Sequence, residues 1–210
     1  MSMKLTSYFS KLLVVGTLVL AACYPEGPEF ADDPDVVLTH YNPEYAFKSK
    51  GTFAIPDKIV KITGNAVTGD PPKYIPDAAA KVMLDRITKN MTDFGYTKVA
   101  ISASPDMIIA PAAMETTTIV YWYDYWGWYW GGYYPGWGYP YYPYYPSYST
   151  YSTGTLLINL VDPKLNATDG NAIAQWTGGL NGLLTYSYDA NRVTRLIDQA
   201  FAQSASYLKK

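Results

Sequence analysis

From residue 77 to residue 94 the apolar positions return at a helical interval. Ala79, Met83, Ile87 and Met91 recur, with Val82 and Phe94 beside them. That period lays one apolar stripe along a helix. Pro76 and Asp77 suit a first turn, and Gly95 suits the left-handed position just past the end, so a helix is predicted over 77–94. The period returns at Val193, Ile197, Ala200, Ser204 and Leu208, flanked by Leu196 and Phe201. Asp189 is placed to cap this second helix, and Lys209 and Lys210 stand at the end that a helix dipole favours for cations.

Elsewhere the pattern is that of strands. "DVVLTHYN" (35–42), "KGTFAIPD" (50–57) and "TKVAIS" (97–102) are short strand candidates, with 58–75 read as a loop because of Gly64, Gly69 and Pro71-Pro72. Residues 106–126 are too rich in Thr, Ile, Val and Tyr for a helix, and Pro111 within them implies an edge, a bulge or a strand start. In "TGTLLINLVD" (153–162), Leu156, Ile158 and Leu160 alternate with Thr155, Leu157 and Asn159, so both faces are expected to be partly buried. "AIAQWTGGL" (172–180) returns after a turn and completes a hairpin. The order β-β-α-β-β-β-β-α predicts an α+β fold. It would be a mostly antiparallel sheet of about five or six strands with two helices packed on one face, plus a long aromatic-rich hairpin or loop.

The first 22 residues fall outside this fold. Lys4 and Lys11 precede the apolar run "LLVVGTLVL", which is shorter than the ~20 residues needed to span a bilayer. The layout is that of a secretory signal. Leu20-Ala21-Ala22-Cys23 resembles the lipobox of bacterial lipoproteins, which implies cleavage before Cys23 and acylation of its thiol. The expected organisation is a signal peptide over 1–22, a lipidated tether over 23–35 and a single domain over 36–210, with an aromatic-rich insertion at 121–151. Asp32, Asp33 and Asp35 are read as solvating charge in the tether. With its only cysteine acylated, the chain has no intrachain disulfide and must rely on its core. Two or more acyl chains give stable anchoring, so the membrane is the expected partner through Cys23.

Charge narrows the function further. The chain carries 16 basic and 18 acidic residues; losing Lys4 and Lys11 with the signal leaves 14 against 18, a net of −4. Such a domain lacks the basic footprint of a nucleic-acid binder. The only histidine, His40, ends a strand and reads as structural or surface. One histidine and one acylated cysteine do not make a zinc site, and "DPKLNATDG" lacks the spacing of an EF-hand loop, so neither metal nor cofactor is expected. No nucleophile elbow, P-loop or dinucleotide fingerprint stands in a strand-to-helix setting. Asp162 and Asp169 flank the turn after 153–162 and read as caps of backbone N–H groups. The enzymatic alternative is an envelope glycan hydrolase with a carboxylate pair such as Asp106 and Asp124.

Several stretches together resemble the bacterial lipoproteins grouped as domain of unknown function 4136. Tyr41-Asn42-Pro43 and Gly51-Thr52-Phe53-Ala54-Ile55 stand where that family has a "Y-D-P" and a "Y-K-T-F/Y-A-W" strand. "PDMIIAPAA" is similar to its "A-D-L-L-V" strand. "GTLLINLVDPKLN…AIAQWTGGLNG" is similar to its final hairpin, with Trp176 at the tryptophan position. Asn42 and Ile55 depart from the pattern. The resemblance implies the fold and an address at the envelope, the outer membrane of a Gram-negative cell. It carries no established activity and transfers no catalytic residue.

The remaining feature is "YWYDYWGWYWGGYYPGWGYPYYPYYPSYSTY", residues 121–151, which holds every tryptophan except Trp176. Gly and Pro favour turns and extended chain there. Three readings stay open: a loop with no ligand, a surface for an envelope protein or glycan, and a membrane-interface contact. The candidate contact residues are Trp122, Tyr125, Trp126, Trp128, Trp130 and Trp137. Asp124 is the one charge among them, either a hydrogen-bond acceptor or a guard against edge pairing. Because complete strands flank the insertion, residues 127–150 are expected to be removable without loss of fold.

Overall fold

The computed structural model describes residues 35–63, 73–115, 138–141, 154–166, 171–184 and 188–210. The signal, Cys23, Asp32, Asp33, Asp124, Asp169 and the six candidate contact residues lie outside them. Residues Asp35–Lys210 make up one unit.

In chain order the elements are β1 (Val36–Tyr41), β2 (Thr52–Ala54), β3 (Val60–Ile62), β4 (Lys73–Tyr74), α1 (Asp77–Asp93), β5 (Thr97–Lys98), β6 (Met107–Met114), β7 (Gly138–Tyr141), β8 (Thr155–Asn166), β9 (Asn171–Asn181) and α2 (Ala190–Leu208). Short 3-10 turns at Phe47–Ser49 and Ile101–Ala103 join some of them. The main path of the open sheet runs β1-β9-β8-β6-β2-β5, with β3 beside β6, β4 beside β3, and β7 beside β9. The long pairings, β1·β9, β9·β8 and β8·β6, are antiparallel. Of the short ones, β2·β6, β2·β5, β3·β6 and β7·β9 are parallel and β3·β4 is antiparallel. The fold is therefore α+β with a mostly antiparallel sheet.

The sheet exceeds the expected strands through its shortest members. Residues 60–62 and 73–74, read as loop, are strands β3 and β4; the strand expected over 97–102 is only two residues long before a 3-10 turn begins. Pro111 is neither at an edge nor at a start. It sits inside β6 and pairs with Ile158 of β8. Its other side falls in the seam between β2, whose register stops at Ile108, and β3, whose register starts at Ala112. The missing N–H therefore costs little there.

Both helices form where their periods place them. All seven residues expected on the stripe of α2 are buried. Asp189 caps it, its carboxylate accepting from the N–H groups of Asn191 at 2.8 Å and Arg192 at 3.3 Å. On α1 the buried set is Ala80, Met83, Leu84, Ile87 and Met91, while Ala79 and Val82 are only half-buried. A strict four-residue step overshoots the 3.6-residue turn, so the real stripe drifts onto Ala80 and Leu84. Gly95 has φ +95°, as its place after α1 requires.

The core forms between α1, α2 and alternate residues of the sheet. Ile109, Leu156, Ile158, Leu160, Trp176 and Leu180 belong to one buried cluster with Met83, Ile87, Ile197 and Phe201. Trp176 is its largest member. Its ring lies 5.4 Å from that of Phe201, and its Nε1–H donates to Ser204 Oγ at 2.8 Å. Gly178 makes room for it: a Cβ there would come within 2.9 Å of the indole.

Asp35 is not solvating charge in a tether. Its side chain is 3% exposed and is bound by Arg192, whose Nε–H donates at 2.8 Å, with Arg195 nearby. The first residue of the domain is thereby tied to α2.

The intermediate positions of the strands are buried too. Ile108, Ala110, Ala112 and Met114 of β6, Leu157, Asn159 and Val161 of β8, and Thr177 and Asn181 of β9 all lie at 8% exposure or below. None belongs to the cluster that the helices share. The expectation that both faces of 153–162 are buried therefore holds along the whole centre of the sheet.

Candidate functional site

The motifs that carry the family resemblance converge at one end of the sheet. Asp162, 1% exposed and read from sequence as a turn cap, lies inside β8. Its Oδ2 accepts from Tyr45 Oη at 2.8 Å and Lys50 Nζ at 2.8 Å. Its Oδ1 accepts the backbone N–H of Lys164 at 2.8 Å, so the capping part of that reading stands. Burial first, then the charge of Asp162, pushes the Tyr45 phenol far above its ordinary value.

Asp106 is engaged in the same way. Its Oδ2 accepts the backbone N–H groups of Gly51 (2.9 Å) and Thr52 (3.1 Å) and the Thr52 hydroxyl (3.1 Å), and its Oδ1 accepts Lys164 Nζ at 3.2 Å. The Gly51 N–H bond, helped by those of Thr52 and Lys164, outweighs burial and holds the carboxyl well below the usual range. A general acid needs the opposite shift. Asn42 accepts the N–H of Glu44 at 3.0 Å through Oδ1 and donates to Gln175 Oε1 at 3.0 Å through Nδ2. These residues lock β1, β2, β6, β8 and β9 together. Sequence reasoning missed Tyr45 and Lys50 as part of this lock, although both sit in the stretch that resembles the family's opening.

A pH dependence follows. Asp106 and Asp198 have lowered pKa values; burial raises that of Asp198, but hydrogen bonds from Arg86 and Asn90 outweigh it. Groups lowered in the folded state contribute stability above the unfolded value, near 3.9, and lose it as pH falls through the folded one. Tyr45 and Tyr96 are raised, Tyr96 to about 12 by burial. Their contribution is complete below the unfolded value, near 10, and is lost as pH rises beyond it. Urea midpoints should be flat from about pH 5 to 9 and fall on both sides. A midpoint that rises from pH 5 to pH 3 would contradict the acid limb.

At the opposite end of the sheet lies a cleft of about 530 Å³. Ile75, Pro76, Ala79, Met83, Leu183, Leu184 and Tyr188 line it. Lys61 and Glu115 also line it and are paired at 2.5 Å. Glu115 and Gly154, which precede and follow residues 116–153 in the chain, both line it. Its size and apolar walls fall within the range of ligand pockets. His40 lies on β1 opposite Thr177. Among the described residues no group of three or more His, Cys, Asp or Glu is placed to hold a metal, and no helix is long and apolar enough to cross a membrane.

Comparison with known proteins gives one consistent result. The sequence model of a family described as "Domain of unknown function (DUF4136)" matches residues 37–204. The crystal structure of a DUF4136 family protein from Bacteroides thetaiotaomicron is 28% identical with a TM-score of 0.64, over 85% of this chain and 99% of that one. A PelC dodecamer from Paraburkholderia phytofirmans is 14% identical with a TM-score of 0.43, over 84% and 99%. A PDZ domain protein from Parabacteroides distasonis is 16% identical with a TM-score of 0.36, over 82% and 35%. At those TM-scores neither of the last two carries an argument. No curated protein matches. The match over nearly the whole domain, with its motifs gathered in one structural lock, places the chain in the DUF4136 family.

Proposed function

We propose that the protein is a non-catalytic lipoprotein of the cell envelope, anchored through Cys23 to the outer membrane of a Gram-negative bacterium, and that its domain is a structural or accessory binding module. Both helices lie on one face of the sheet in this reading, supported by their shared core cluster. The observation that carries it is the contrast between the two ends of the sheet. At one end, Asp106 and Asp162 spend their acceptor sites on backbone, tyrosine and lysine donors. At the other, an apolar cleft opens that Glu115 and Gly154 help to line. The first end holds the fold together; the second has the form of a place that receives a partner.

In-cell crosslinking read by mass spectrometry tests this, comparing wild type with Ala79→Phe, which fills the cleft. Envelope partners captured by wild type and lost in the variant, at an unchanged melting temperature, support the module. Identical partner lists would remove the cleft as its site. A glycan-cleaving activity abolished by Asp106→Asn would replace the module with the hydrolase reading.

The anchor has its own test. Cys23→Ser should block acylation and shift the protein out of the membrane fraction. A cleaved, unacylated form that stays with the membranes would contradict the lipobox reading.

A further inference from the structure

The cleft of about 530 Å³ is an unfilled end of the core that the helices share. Ile75, Met83, Ala113 and Leu183 line it and belong to the buried cluster, and Ala79 and Leu184 pack against that cluster. Small side chains help to keep it open. Ala79 stands one turn before Met83 on α1, and Ala113 stands next to the end of β6. The volume suits a whole small ligand and exceeds what one anchoring side chain needs.

The lining selects the chemistry. All six of those side chains are aliphatic. Among the described residues that line the cleft, the polar side chains are those of Lys61, Glu115 and Tyr188, at 34%, 50% and 49% exposure. A sugar, nucleotide or amino acid needs polar partners inside its pocket, because a polar group buried without one is costly. Here the polar groups reach water and the interior is apolar. The ligand that fits has a flexible apolar body and a polar end left at the rim, which describes an acyl amphiphile.

The charges narrow the polar end. Lys61 Nζ and Glu115 Oε1 lie 2.5 Å apart, a cation and an anion side by side. Their charges cancel, so a purely anionic or purely cationic head gains little from the pair. A zwitterionic head satisfies both, with a phosphate on Lys61 and an ammonium on Glu115. A primary ammonium carries N–H donors for the carboxylate, which a quaternary one lacks.

The chain also enters the domain beside this cleft. Asp35 is held by Arg192, whose guanidinium donates as well to the carbonyl oxygens of Gly182 at 3.1 Å and Leu183 at 3.4 Å. Leu183 lines the cleft. Cys23, the proposed anchor, stands twelve residues before Asp35 in the sequence. That length of chain spans at most about 40 Å, so an anchored domain keeps this end within reach of a bilayer. Tyr188, half-exposed on the cleft, is a residue type that settles at the headgroup level.

We propose that the cleft takes one acyl chain of an ethanolamine phospholipid from the membrane, with the phosphate on Lys61 and the ammonium on Glu115. This rests on the reading of the cleft as the binding site of the module, and names its ligand.

The test titrates palmitoyl lysophosphatidylethanolamine, below its micelle concentration, into residues 23–210 carrying Cys23→Ser, read by native mass spectrometry and calorimetry. One molecule should bind per chain, and removing two methylenes from the acyl chain should weaken binding about tenfold. Ala79→Phe should weaken it by at least about tenfold at an unchanged melting temperature. Lys61→Glu leaves the core untouched and decides the matter if Ala79→Phe does not fold; by repelling the phosphate it should weaken binding about fivefold or more. Palmitate, which has no ammonium, should bind less tightly than the lysophospholipid. No binding, or binding that both variants leave unchanged, would overturn the proposal. Palmitate bound equally well would overturn the assignment of the headgroup. Lysophospholipid that binds the Cys23→Ser form but not the acylated protein would put the chain's own lipid in the cleft, and overturn the membrane as source. Envelope proteins crosslinked by wild type and lost in Ala79→Phe, with no lipid bound, would overturn the lipid and leave the binding-module reading in place.

Discussion

Trp176→Ala is expected to destabilise the domain by about 3–5 kcal/mol, the range for removing a large buried aromatic side chain. The cost has three sources. The indole is 1% exposed and is the largest fully buried side chain among the described residues. It packs on Phe201, which in turn meets Phe94 edge-on at 5.7 Å, so one cavity would loosen β9, α2 and the end of α1 together. Its Nε1–H also donates to Ser204 Oγ, a hydroxyl buried inside α2. Gly178, already tight against the ring, has no side chain to fill the space. In a domain whose whole stability is on the order of 5–15 kcal/mol, the loss should lower the thermal midpoint by roughly 10 °C or more. Trp176→Phe separates the terms: it keeps a ring and loses the donor, while Tyr207 Oη still serves Ser204 Oγ at 2.9 Å, so it should cost clearly less. Equal losses in the two variants would mean that the hydrogen bond, and not the packing, holds the site.

Asp162→Ala is expected to cost about 3 kcal/mol, near the lower end for breaking a buried ion pair. The substitution removes the acceptor of Tyr45, Lys50 and the Lys164 N–H together. Lys50, 24% exposed, can turn partly to water, which is why the lower end applies. Tyr45 has less freedom, being 8% exposed with its ring 4.7 Å from that of Phe47. A double-mutant cycle with Lys50→Met checks the account by urea denaturation. If the pair is a structural lock, the double variant should be more stable than the Asp162→Ala single, because no half-buried ammonium is left without a counter-charge. Strictly additive losses would show that Lys50 and Asp162 do not act on each other.

Much of the fold was legible because its signals are local. The stripe of α2, its cap at Asp189 and the positive φ at Gly95 depend on residues within a turn or two of each other. The hairpin of β8 and β9 was legible for the same reason, since each strand is long and alternates on its own. The resemblance of residues 20–23 to a lipobox and the composition of 121–151 are likewise readings from neighbours alone, and, 138–141 apart, both lie outside the described residues. Strands β3 and β4 were not legible, and of the strand expected over 97–102 only β5 forms. Each is two or three residues long, and such a strand exists only because another strand supplies its hydrogen bonds.

Only the tertiary structure decided what the charged residues do. Asp162 lies 117 residues from Tyr45 and 112 from Lys50, and Asp106 lies 55 from Gly51, so no spacing in the chain announces the lock they form. Asp35 looked like tether until Arg192, 157 residues on, was found holding it. Sequence alone determined that the two helices and the long strands are there and close to where each starts, because backbone preference and side-chain period act over a few residues; β8 runs on to Asn166, past the expected end at 162. Which carboxylates are used up, which cleft stays open, and that the sheet is buried on both sides are decided by contacts between distant segments. Those exist only once the chain has closed its loops and excluded water between them.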